Sequence, residues 1–166
     1  MSGKTVILFI TGILLSLNAL AQESRFIWSA SADISPRFQK DASLLTSQAS
    51  VGYRFNPLIS GLFTAEIASS PTLFADKNQH LSEAVGALVK CDIYRFDEGL
   101  IDIRGGLSRN LSDKQKYINY NLGLYVEAGK YPTKPFIGLT FRYFDRLEKG
   151  SKDQPFLCLT TGFVVN

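Results

Sequence analysis

The amino-acid sequence predicts an all-β protein, an eight-stranded antiparallel up-and-down transmembrane β-barrel behind a cleaved signal peptide. Beyond the leader, hydrophobicity alternates with a period of two over long runs, and no second apolar stretch is long enough for a membrane helix. The runs reach the roughly nine to eleven residues that a tilted strand needs to cross a bilayer, where strands of soluble domains average about five or six. The links between them alternate between short and long, the pattern of barrels whose turns and loops lie on opposite sides of a membrane.

Met1 to Ala21 reads as the signal peptide and 22–166 as a single barrel domain. Lys4 supplies the positive start, Val6 to Leu17 the apolar core, and Ala19-Leu20-Ala21 the small-residue cleavage site. No Cys follows that site, which speaks against a lipoprotein anchor. The formal net charge of +3 falls to +2 once Lys4 is removed, so the balance gives no reason to expect a nucleic-acid partner. Mean hydropathy is near zero while aromatic residues make up 12% of the chain, a combination suited to alternation and not to continuous hydrophobicity.

Eight strand-like runs follow in order: Arg25 to Ser35, Leu45 to Phe55, Ile59 to Ser69, Glu83 to Phe96, Leu100 to Ser108, Tyr117 to Ala128, Phe136 to Leu147 and Phe156 to Val165. The sixth is the cleanest. Ile118, Tyr120, Leu122, Leu124, Val126 and Ala128 share one face, and Asn119, Asn121, Gly123, Tyr125 and Glu127 share the other. In the first, Phe26, Trp28, Ala30, Ala32 and Ile34 oppose Ser29, Ser31, Asp33 and Ser35; in the fourth, Cys91 and Ile93 oppose Asp92 and Tyr94. Asn56-Pro57-Leu58, Asp97-Glu98-Gly99 and Lys130 to Pro135 form the short connections. Pro36 to Leu44, Ser70 to Ser82, Arg109 to Lys116 and Glu148 to Pro155 form the long ones, and they carry Lys40, Lys77, Arg109, Lys114, Lys116, Lys149 and Lys152 together with Leu73 and Phe74.

Aromatic placement supports the same architecture. Trp28, Tyr53, Phe55, Tyr94, Phe96, Phe136 and Phe163 gather toward the ends carrying short turns, while Tyr117, Tyr120 and Tyr143, with Phe38, Phe144 and Phe156, gather toward the ends carrying loops. Two such bands are expected as girdles at the two bilayer interfaces.

On the polar face, Asp33, Arg54, Glu66, Lys90, Asp92, Asp102, Arg104, Glu127 and Arg142 are expected to point inward. An eight-stranded barrel is wide enough only for side chains to fill it, so these charges are expected to pair in a lumenal network. The alternative is that rearranged pairs form a narrow channel. Alternation alone also admits a secreted lipocalin-like barrel turned the other way out, with its apolar residues around a ligand.

Chemistry is sparse. Cys91 and Cys158 fall on opposite sides of an eight-stranded ring and on different faces, so two free thiols are expected. One His and two distant Cys make no metal-ligand cluster, and no cofactor motif is present. His80 and Ser82 share a face two residues apart, similar to the His-x-Ser pair of eight-stranded lipid A deacylases. Glu83 cannot orient His80 from that face, and the expectation is a protein that is not an enzyme.

By strand count, link lengths and size, the mature chain resembles the small eight-stranded outer-membrane barrels of the OmpX and OmpA transmembrane-domain type, and the outer-membrane barrel families of Bacteroidota. The resemblance implies a place in the bacterial outer membrane, among outer-membrane lipid and lipopolysaccharide. It also implies insertion by the outer-membrane assembly machinery, a structural or surface-interaction role, and loops that could meet a protein partner. Such barrels usually end on a Phe. Here Gly162-Phe163-Val164-Val165-Asn166 places the aromatic three residues early.

Overall fold

The computed structural model describes residues 25–35, 43–70, 81–111, 116–129, 132–147 and 153–165. The expectations for Met1 to Ala21, Phe38, Leu73, Phe74, His80, Lys40, Lys77, Lys114, Lys149 and Lys152 lie outside these residues. Eight strands make up the fold: β1 (Phe26–Ser35), β2 (Leu44–Arg54), β3 (Ile59–Ser69), β4 (Leu81–Phe96), β5 (Gly99–Asn110), β6 (Tyr117–Ala128), β7 (Thr133–Arg146) and β8 (Gln154–Val165). Each is antiparallel to its neighbours in chain order, and β8 pairs back onto β1 to close the barrel. Closure leaves no exposed sheet edge, which would otherwise present a row of backbone donors and acceptors.

Every strand is long, from ten residues in β1 to sixteen in β4. Short turns close β2–β3, β4–β5 and β6–β7 at one end, which we call the turn end; longer segments join the other strands at the loop end. The Asn56 carboxamide accepts from the backbone N–H of Leu58 and of Ile59, at 2.8 Å each, and so builds the first turn around Pro57. After β6 the chain reverses at Gly129, whose φ of 108° suits a residue without Cβ, and its N–H donates to the Glu98 carbonyl at 2.6 Å.

The pairing is continuous in register except in β4, where Asp92 pairs Asp102 and Tyr94 pairs Ile101. Ile93 is therefore an extra residue, a bulge that inverts the alternation after it. This corrects one sequence expectation. Tyr94, grouped by simple alternation with the inward Asp92, is thrown onto the outer face and is 62% exposed. Arg95 takes the inward position opposite the buried Leu100.

The barrel is polar within and apolar without. Large hydrophobic side chains are exposed on every strand, among them Ile34, Val51, Phe63, Val89, Ile103, Leu122, Leu139 and Leu159. Buried residues include many that are normally solvated: Asp33, Glu66, Lys90, Asp102, Glu127 and Arg142 are each 3% exposed or less. A globular protein with water outside sorts its side chains the other way.

Candidate functional site: a charged barrel interior

Inward-facing positions of seven strands supply the charges: Asp33 on β1, Arg54 on β2, Glu66 on β3, Lys90 and Asp92 on β4, Asp102 and Arg104 on β5, Glu127 on β6 and Arg142 on β7. Period-two alternation alone brings them to one face, and closure of the barrel brings them within reach of one another. The structure gathers them into two groups.

The first centres on Arg142. Its Nε donates to Asp33 Oδ2 at 2.7 Å, its Nη1 to Glu66 Oε2 at 2.7 Å and its Nη2 to Gln48 Oε1 at 3.2 Å. A single planar guanidinium thus ties β7 to β1, β2 and β3, none of them its neighbour in the sheet. Asn119 and Ser108 complete the shell of Glu66 Oε1, donating at 3.2 and 3.3 Å.

The second group spans β4, β5 and β6. Lys90 pairs with Asp92 and lies 3.2 Å from Glu127 Oε1 and 3.8 Å from Asp102 Oδ2. Arg104 makes a two-pronged contact with Asp102, Nε to Oδ1 at 2.7 Å and Nη2 to Oδ2 at 3.1 Å, and also reaches Glu127 Oε1 at 2.9 Å. Its guanidinium lies 4.4 Å from the centre of the Tyr125 ring and 4.1 Å from that of Phe136, so two aromatic rings flank one delocalised cation. Arg95 closes the group at the turn end, donating to Asp92 Oδ2 at 3.0 Å and to the Pro57 carbonyl at 2.8 Å.

Arg54 joins neither group. It is half-buried at the turn end, with no ion pair to a carboxylate among the described residues. In total the two groups hold Lys90, Arg104 and Arg142 against five carboxylates, with Arg95 as a fourth cation at the edge.

Polar and apolar layers fill the space around these charges. Tyr125 Oη lies 2.7 Å from Thr140 Oγ1, which lies 2.5 Å from Thr160 Oγ1. Ile27, Leu62, Leu88, Tyr125, Phe136 and Val164 form one buried apolar cluster, and Leu44, Ala68, Tyr117, Phe144, Phe156 and Cys158 form another at the loop end. Between the charge groups, the cavity lined by Lys90, Arg104, Asn121, Thr140 and Arg142 measures about 20 Å³. That is room for about one water molecule.

Several aromatic residues expected in the girdles are found inside. Tyr117 is 2% exposed and hydrogen-bonded to Ser82 at 2.9 Å, while Phe136, Phe144 and Phe156 are also buried. Each lies on the inward parity of its strand, opposite the apolar face, and parity overrides height along the barrel. Trp28, Tyr53, Phe55, Tyr94, Phe96 and Phe163 do lie on outward positions near the turn end, where Trp28 meets Phe163 edge-on at 5.4 Å and Tyr53 meets Phe26 at 5.8 Å. Tyr120 and Tyr143 form the outward pair near the loop end, their ring centres 6.5 Å apart.

The inward aromatic rings have a local cause that the alternation did not reveal. A Cβ at Gly138 would meet the Tyr125 ring, and one at Gly162 would meet the Phe136 ring; both glycines stand directly across from those residues in the ladder. Each ring therefore lies over a strand position with no side chain of its own.

Cys91 and Cys158 are both free thiols, half-buried on β4 and buried on β8. Ser82 faces inward, bonded to Tyr117. Among the described residues no group of His, Cys, Asp and Glu is arranged to hold a metal ion.

Fold and interior together define a class: a closed eight-stranded antiparallel β-barrel with side chains and paired charges inside and apolar side chains outside. No protein-family model matches this chain, and no curated protein matches it.

Proposed function

We propose that the chain is a bacterial outer-membrane barrel with a plugged, charge-paired lumen and a structural or surface-interaction role. One observation carries the reading: the exposed apolar belt that runs round every strand while the ions are buried inside. Exposing so much apolar surface to water would be strongly unfavourable, at about 25 cal/mol per Å², whereas in hydrocarbon it costs nothing. Backbone groups are met by ladder partners all the way round, as a lipid environment requires. On this reading outer-membrane lipid and lipopolysaccharide surround the belt, the assembly machinery inserts it, and the longer connections at the loop end form the surface a protein partner would meet.

The side-chain distribution speaks against the lipocalin-like alternative, which needs an apolar cavity within. The narrow void between the charge groups speaks against the channel alternative. Planar-bilayer recording tests both. Protein folded in detergent and added to the bilayer is expected to insert without conductance steps. Discrete steps that vanish in Arg104→Gln would replace the plugged barrel with a channel. Protein that stays soluble without detergent and saturably binds a lipophilic dye would favour the secreted barrel.

A further inference from the structure

The turn end holds a feature that the paired interior does not explain. Arg54 from the end of β2, Arg95 from the end of β4 and Lys134 from the start of β7 converge on one open cavity of about 270 Å³, whose floor includes Gly99 and Gly129. All three occupy inward positions of their strands, and they arrive from three separate turns. Arg95 is anchored by Asp92 and the Pro57 carbonyl, which orients its guanidinium without using all five donors. Arg54 and Lys134 have no ion pair with a carboxylate among the described residues. Asp97 is the one acidic residue on the lining among the described residues, and it is exposed. A Cβ placed at Gly129 would meet nothing within 4 Å, so the space is open up to the backbone.

We infer that this mouth is a binding site for an oxyanion of the phosphate class. Three like charges brought together from different strands repel one another, and a multiply charged anion relieves that repulsion while accepting the donors that the two arginines and the lysine present. Planar guanidinium forks match the oxygens of a phosphoryl group, and Lys134 adds a point charge. The competing account is that the three cations only offset at a distance the surplus of carboxylates deeper in the barrel. It predicts no discrete stoichiometry. Because the cavity is lined mainly by inward and turn residues, with Phe96 reaching it from the outward face, the favoured source is a free oxyanion, with a lipid headgroup as the second source. The site stands whether or not the barrel is embedded in lipid.

Calorimetric titration of inorganic phosphate into the folded full barrel in a phosphate-free detergent tests this directly. Saturable one-to-one binding is expected, weakened at least about tenfold in Arg54→Gln/Lys134→Gln, a pair outside the buried network. The control Arg109→Gln/Lys116→Gln removes the same net charge at the loop end and is expected to bind as the parent does. Absence of saturable binding by the parent, or equal weakening in both double variants, overturns the site. Repeating the titration in nanodiscs separates the sources: unchanged binding supports a free anion, and phosphate binding abolished by anionic phospholipid supports a headgroup in the same site. A difference in gel mobility between heated and unheated samples, expected of a folded barrel, is to be checked in the parent and in each variant and guards against misfolding as the cause.

Discussion

At the residue scale, Arg142 has the most to lose. It is 1% exposed and holds the carboxylates of Asp33 and Glu66 across the barrel. Removing one partner of such a buried pair leaves ions without compensation at a cost of about 3–5 kcal/mol, whereas neutralising the whole group together costs far less. Arg142→Gln is therefore expected to lower barrel stability by about that amount in urea titrations. Adding Asp33→Asn and Glu66→Gln to it is expected to recover most of the loss. If the triple variant is as unstable as the single, the attribution to uncompensated charge fails. The identity of the inward charges was legible from alternation alone, since parity is a local property of each strand. Their partners were not, because Arg142 is 109 residues from Asp33 and 76 from Glu66, and only barrel closure and strand tilt decide which side chains meet.

At the scale of the element, the strands were readable because each must keep one face apolar over its full length. Their ends were less so. Pro135 and Pro155 read as breaks, yet β7 begins at Thr133 and β8 at Gln154, because a proline near a strand end forfeits little ladder bonding. The bulge at Ile93 left no mark in the pattern, since Asp92, Ile93 and Tyr94 alternate perfectly well as a regular strand. Tyr117 and Phe136 were misjudged for a different reason: they were grouped by their height on the barrel, when the face of the strand decides where a ring points. The outward faces make a prediction that depends on the surroundings. Leu139 is 56% exposed near the middle of β7. An Arg at such a place costs about 2–4 kcal/mol at the bilayer midplane and almost nothing on a surface facing water. Leu139→Arg is thus expected to destabilise the barrel by that amount in phospholipid vesicles, about 2–4 kcal/mol. A shift of a few tenths would mean that the face is wet.

On the scale of the whole molecule, the same inversion explains why the fold was the most legible feature and the role the least. On the proposed reading, apolar outside, charged inside, short turns at one end and longer links at the other are global patterns that any eight-stranded barrel in a membrane must obey, so they appear in the sequence irrespective of task. A basic mouth is different: Arg54, Arg95 and Lys134 lie 80 residues apart at the extremes, and nothing in their spacing brings them together before the turns do. The central claim is that the belt faces lipid, and the chain carries its own probe. Trp28 is the only tryptophan, set on the outward face near the turn end against Phe163. In vesicles, its fluorescence is expected to be quenched by phospholipids brominated near the headgroup more strongly than by those brominated at the chain ends. Fluorescence unaffected by any brominated lipid, from protein that remains in the aqueous phase, would contradict the account.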